Sequence, residues 1–154
     1  MEKKFMVLIV FCMIISVVIY ADDLQEIQRA ANRGDAEAQS NLGICYITGD
    51  GVKQDYTQAV YWLRKAADQG YANSEYNLGL CYMNGYGVDQ SWERAASFFK
   101  KAAEKGIVQA QRNLATLYMS GDGVPKDLKQ AEYWYRKAAD QGDPRAAMAL
   151  QLYF

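Results

Sequence analysis

Apolar positions along this chain fall three and four residues apart in short runs, and each run is closed by glycine. In the first run Ala38, Leu42, Cys45 and Tyr46 share one helical face, and Leu78, Cys81 and Tyr82 repeat that face one period later. The helix is predicted to stop where Gly49 and Gly51 begin, because glycine takes up the left-handed backbone that other residues resist. Gly85 with Gly87 and Gly121 with Gly123 do the same, and Val52, Val88 and Val124 supply an apolar plug at each turn. A second helix is predicted from about Tyr56, Trp92 or Leu128 to Gly70, Gly106 or Gly142. Its signature is small residues at fixed spacing: Ala59, Ala66 and Ala67 recur as Ala95, Ala102 and Ala103, then as Ala131, Ala138 and Ala139. Such residues let two backbones approach closely, with Trp62, Phe98 and Trp134 as the bulk across that contact.

The pattern is an internal repeat of 36 residues. Residues 41–52 read NLGICYITGDGV, 77–88 read NLGLCYMNGYGV and 113–124 read NLATLYMSGDGV, while the tails run RKAADQG, KKAAEKG and RKAADQG. A lone helical pair cannot bury its apolar face, so such units stack. The expected fold is all-α, a right-handed superhelix of antiparallel helix pairs (an α-solenoid) with about three full units, at 36–71, 72–107 and 108–143. A capping helix within 22–35, around Leu24 to Ala31, covers one end. A half-repeat at 144–154, opened by Pro144, covers the other with Leu150, Tyr153 and Phe154.

These residues resemble the Sel1-like repeats, relatives of the tetratricopeptide repeats. The shared pattern is an alanine, then Leu-Gly, Tyr, Gly-x-Gly-Val, a further alanine and Lys-Ala-Ala-x-x-Gly; it fits all three units over residues 24–154 and departs at Ala115, where the family prefers glycine. The resemblance implies an α-solenoid adaptor that binds other proteins, and many such members are bacterial and exported.

The N-terminus changes the picture of where the chain works. Lys3 and Lys4 precede an unbroken apolar run from Phe5 to Ile15, and Ala21 precedes two acidic residues. Residues 1–21 read as a secretory signal cleaved after Ala21; the rival reading is a retained anchor, and either places the repeats in an exported compartment, periplasmic or secreted. The sequence before Cys12, VLIVF, lacks the small residues of a lipid-modified cysteine. The formal charge is -1 for 154 residues, with 51% hydrophobic residues, so nothing marks a nucleic-acid partner.

Candidate chemistry is sparse. The absence of histidine removes triad-type catalysis and histidine-ligated metals. Cys45 and Cys81 hold equivalent places in adjacent units, where helices 8–10 Å apart exceed the roughly 7 Å a disulfide spans, so both read as fillers of an apolar slot. Cysteine-rich Sel1-like proteins carry two cysteines per unit near the Lys-Ala-Ala tail, where this chain has alanine. Because some of those have been described as penicillin-binding or β-lactamase-like, SFFK at Ser97–Lys100 stands as the alternative, a cell-wall or β-lactam-recognising enzyme. No Ser-Asp-Asn or Lys-Thr-Gly accompanies it, and Ser97 occupies the place of Tyr61 and Tyr133, which reads as helix surface. The GDGV turns with Asp50 and Asp122 offer too few oxygens for calcium, and Tyr86 replaces the middle aspartate. No cofactor, metal or catalytic residue is expected.

Function is therefore expected in recognition, on the first helix of each unit, which in superhelices of this kind lines the concave face. Spacing leaves Ser40, Asn41, Tyr76, Asn77, Leu80, Arg112, Asn113 and Arg145 among the residues not needed for pairing. Asn41, Asn77 and Asn113 form a ladder of amides, each able to donate and accept against an extended backbone, and the resemblance to tetratricopeptide domains implies peptide contact there. The same resemblance implies basic residues that hold the peptide's terminal carboxylate, a charge expected here from Arg112 and Arg145. The expected partner is a protein or peptide segment, with an inhibitor or immunity protein as a narrower version. The chain itself is expected as a monomer or a weak end-to-end dimer. A third reading is a spacer that binds through Tyr61, Trp62, Tyr133 and Trp134 on the outer face.

Overall fold

The computed structural model describes residues 23–154, and the segment read as an export signal lies outside them. Eight helices occupy the described residues: α1 (23–32), α2 (Ala36–Thr48), α3 (Tyr56–Asp68), α4 (Ala72–Asn84), α5 (Trp92–Glu104), α6 (Val108–Ser120), α7 (Leu128–Asp140) and α8 (Pro144–Tyr153). Each packs on its sequence neighbours, α2 on α3, α3 on α4 and so on to α8, giving a right-handed superhelix of antiparallel pairs.

Each turn within a pair is built the same way. Gly49, Gly85 and Gly121 end the first helices in the left-handed conformation, each donating its N–H to a carbonyl four residues back. Asp55, Ser91 and Asp127 then cap the second helices with their side-chain oxygens. Their own N–H groups donate to the carbonyls of Tyr46, Tyr82 and Tyr118 at 2.9–3.0 Å, which closes the hairpin. In the middle turn Tyr86, the residue that replaces aspartate, stacks on Tyr56 of the preceding unit with ring centroids 4.8 Å apart.

The core runs between the two layers. Ala59, Ala66, Ala95, Ala102, Ala131 and Ala138 are fully buried, consistent with close backbone approach. The deepest bulky side chains of the second helices are Leu63 and Phe99, at one repeat position, and not the neighbouring position read from spacing: Phe98 is only half-buried, although Trp62 and Trp134 are buried. Ring packing makes the glycine opposite necessary, since a Cβ on Gly79 would come within 2.5 Å of the Phe99 ring, and one on Gly43 within 2.8 Å of Leu63. The third unit departs from glycine with Ala115, and there the facing residue is Tyr135, whose hydroxyl is tied to Thr116 Oγ1 at 2.9 Å.

Cys45 and Cys81 are both free thiols. Burial pushes the Cys81 thiol up to about 11, so it stays protonated and inert near neutral pH. The half-repeat closes its end less fully than expected: Leu150 is partly buried, but Tyr153 and Phe154 stay 62% and 47% exposed because no further helix packs on them within the described residues.

Candidate recognition surface

Charge divides the two layers. The first helices α2, α4, α6 and α8 carry one charged residue each, Glu37, Glu75, Arg112 and Arg145. The second helices are dense in charge, from Arg64, Lys65 and Asp68 on α3 to Lys129, Glu132, Arg136, Lys137 and Asp140 on α7. Two of the four first-helix charges are also neutralised internally: Glu75 accepts from Lys105 at 2.6 Å, and Arg112 donates to Asp143 at 2.5 Å. Apart from Glu37 and Arg145, which are exposed, what this layer shows to solvent is mostly uncharged polar and apolar groups.

The sequence-derived residues fall into three settings. Tyr76, Arg112 and Asn113 are brought together across α4 and α6: burial pushes the Tyr76 phenol up from its ordinary value, while the Arg112 charge and a hydrogen bond with Asn113 pull it down. The Tyr76 ring also packs on Phe99, centroids 5.8 Å apart, which ties it to the core. Arg145 joins through its backbone, because Asp143 Oδ1 accepts from the N–H groups of Arg145 and Ala146 while Oδ2 holds Arg112. Arg112 is thus already engaged in pinning the start of α8, and the Arg145 side chain is exposed. Asn77 and Leu80 are half-buried on α4, and Asn41 is exposed on α2. Ser40 does not belong to the surface. It is 1% exposed, because its short side chain is covered at the place where Tyr76 and Arg112 are long enough to emerge.

Spacing alone also misses a row of buried polar residues one position earlier. Gln39 and Gln111 each donate to a carbonyl eight residues back, Ala31 and Ala103, at 3.1 Å. Each accepts at 2.8 Å from the glutamine that caps the following helix, Gln69 or Gln141. In the middle unit Glu75 and Lys105 take these places, and Lys105 also donates to the Gly70 carbonyl at 2.8 Å. The 36-residue period carries the signal, since both positions recur in register.

The outer face is more selective than its sequence suggests. Trp62 and Trp134 are buried, whereas Tyr61 and Tyr133 are 48% and 47% exposed, each edge-on to its tryptophan and under a lysine, Lys65 or Lys137. Open clefts of about 440 and 480 Å³ lie beside these two tyrosines. Ser97 and Lys100 are both exposed on α5. No group of metal-ligating side chains occurs among the described residues, and no helix there is long and apolar enough to cross a membrane.

Three helix pairs of 36 residues, with these turns and caps, define a Sel1-type solenoid, and the Sel1 repeat model matches residues 36–71, 72–107 and 108–143. The chain belongs to the Sel1 repeat family. Among solved structures it is similar to a Sel1 repeat protein from Oxalobacter formigenes, at 39% identity and a TM-score of 0.77, covering 84% of this chain and 97% of that one. It is also similar to c5321, a protective antigen of uropathogenic Escherichia coli strains that displays an SLR fold, at 46% identity and a TM-score of 0.78. That match covers 80% of this chain but only 26% of the antigen. Helicobacter pylori cysteine-rich protein B, at 24% identity and a TM-score of 0.66, shares the fold. A search of curated proteins gave no match.

Proposed function

We propose that this chain is an exported, non-enzymatic adaptor that holds a protein or peptide segment along its first-helix layer. The observation that carries the reading is the division of charge: α2, α4, α6 and α8 keep one charged residue each, two of the four are paired internally, and the repeated amides and apolar side chains remain. A surface of that kind suits an extended backbone, which needs donors and acceptors, with apolar anchors between them. Sel1 repeat proteins are in general protein-interaction adaptors, and membership of that family favours the same role. Asn41, Asn77 and Asn113 are the amide contacts, Tyr76 and Leu80 the anchors, and Arg145 the exposed cation at the far end. Arg112 acts by holding α8 and Tyr76 in place. Inhibition of an exported enzyme or toxin is a narrower form of this role.

The test is capture of a partner in the exported compartment by crosslinking, comparing the native chain with an Asn77→Ala/Leu80→Asp variant of unchanged helicity. We expect the variant to lose at least tenfold in captured partner. Equal capture by both would move the site to Tyr61 and Tyr133 on the outer face.

A further inference from the structure

The three units close their helix pairs with one device in two chemistries. Units one and three use a glutamine pair, Gln39 with Gln69 and Gln111 with Gln141, both 2.8 Å. Unit two uses a carboxylate and an ammonium, Glu75 with Lys105, 2.6 Å. Both members change together, so the joint is complementary in every unit. The exchange adds the Lys105 bond to the Gly70 carbonyl but leaves the carboxylate incompletely satisfied. Glu75 is 4% exposed and its Oε2 has no hydrogen-bond partner among the described residues, nor does the neighbouring Ser74 Oγ. In units one and three the corresponding amide nitrogen donates to Ala31 or Ala103. A glutamine at position 75 would have that donor, and a carboxylate does not.

A joint that leaves a buried carboxylate oxygen without a partner calls for a reason other than hydrogen bonding, and the likeness of the units supplies one. The segment RKAADQG is identical at 64–70 and 136–142, and α3 and α7 share most of their residues. Nearly identical units invite pairing of a first helix with the wrong second helix, within the chain or between copies, which is a characteristic failure of repeat proteins. A slip of one unit in either direction would set Glu75 against Gln69 or Gln141, or Lys105 against Gln39 or Gln111. Each such pairing leaves one charge without its counter-charge, and an unmatched buried carboxylate is strongly disfavoured. With three units, every one-unit slip involves the middle one. A single charged joint placed there guards both directions.

We infer that Glu75 and Lys105 form a register key, an ion pair with a buried carboxylate and an exposed ammonium, that marks the middle unit and excludes mispaired assembly of this array. The key governs assembly and is independent of what the surface binds.

The test unfolds the purified chain in denaturant, refolds it by rapid dilution at several protein concentrations, and measures the monomer share against the same sample before unfolding. Two variants are compared with the native chain. Glu75→Gln/Lys105→Gln makes all three joints alike, and Glu75→Gln/Lys105→Gln/Gln111→Glu/Gln141→Lys moves the charged joint to the third unit. The first is expected to match or exceed the native urea midpoint and yet to lose at least half of its monomer on refolding, increasingly so at higher concentration. The second is expected to recover part of that loss, because one slip direction is again blocked. An unchanged monomer share in the first variant would overturn the inference. So would a lowered urea midpoint, which would make the pair an ordinary stabiliser.

Discussion

Gly87→Ala is expected to destabilise the array by roughly 3–5 kcal/mol, among the largest effects of any single methyl group in this chain. Gly87 has φ +67°, a conformation that costs an L-residue roughly 1–2 kcal/mol, and a Cβ there would land on the backbone carbonyl of Tyr56 in the preceding unit. Backbone cannot rotate away as a side chain can, so the turn would have to lift off α3 and carry the stacked Tyr86 with it. Gly106 separates the two causes. It has φ +93° but nothing within 4 Å of the place a methyl group would take, so Gly106→Ala should show only the conformational part. Urea unfolding followed by circular dichroism measures both. Equal losses in the two variants would mean that the close approach of the units at Gly87 contributes nothing.

The second large effect is a coupling. Phe99 is fully buried, and Phe99→Ala is expected to cost about 3–5 kcal/mol through lost burial and the cavity left behind. Gly79→Ala in the native background adds a Cβ within 2.5 Å of that ring and is destabilising, although alanine is the better helix former by about 1 kcal/mol. With the ring removed, the same Gly79→Ala change has room and should become neutral or favourable. A double-mutant cycle should therefore return a coupling of at least about 1 kcal/mol. Additivity within about 0.5 kcal/mol would contradict the close packing of α4 against α5.

Local signals in the sequence carry most of the architecture. Gly49, Gly85 and Gly121 mark the ends of helices, the alanines of the second helices mark the close contact, and the 36-residue period sets the number of pairs. The core position is harder to place, because each second helix is held between two first helices and its buried arc is wide enough to take adjacent residues. Spacing therefore favours Phe98 where Phe99 is the deeper of the two. Ser40 escapes the pattern for a related reason, since periodicity gives direction but not the reach of the side chain.

The candidate surface is legible as a set of positions and less so as chemistry. The ladder of Asn41, Asn77 and Asn113 follows from the repeat, but the engagement of Arg112 depends on Asp143, which lies 31 residues away and belongs to a different helix cap. The period hints at a split between Tyr61, whose place is taken by Ser97 in the middle unit, and Trp62, whose place is taken by Phe98, but it does not give the degree of exposure. Only packing shows that the tyrosine is exposed and the tryptophan is not.

The most direct measurement of the central claim is site-specific photocrosslinking in the producing cell, with a photoreactive residue placed in turn at Asn77, Asn113, Tyr61 and Tyr133. The account predicts a discrete crosslinked species from Asn77 and Asn113 and none from Tyr61 or Tyr133. The same species formed from Tyr61 and Tyr133 alone would contradict it and assign recognition to the outer face.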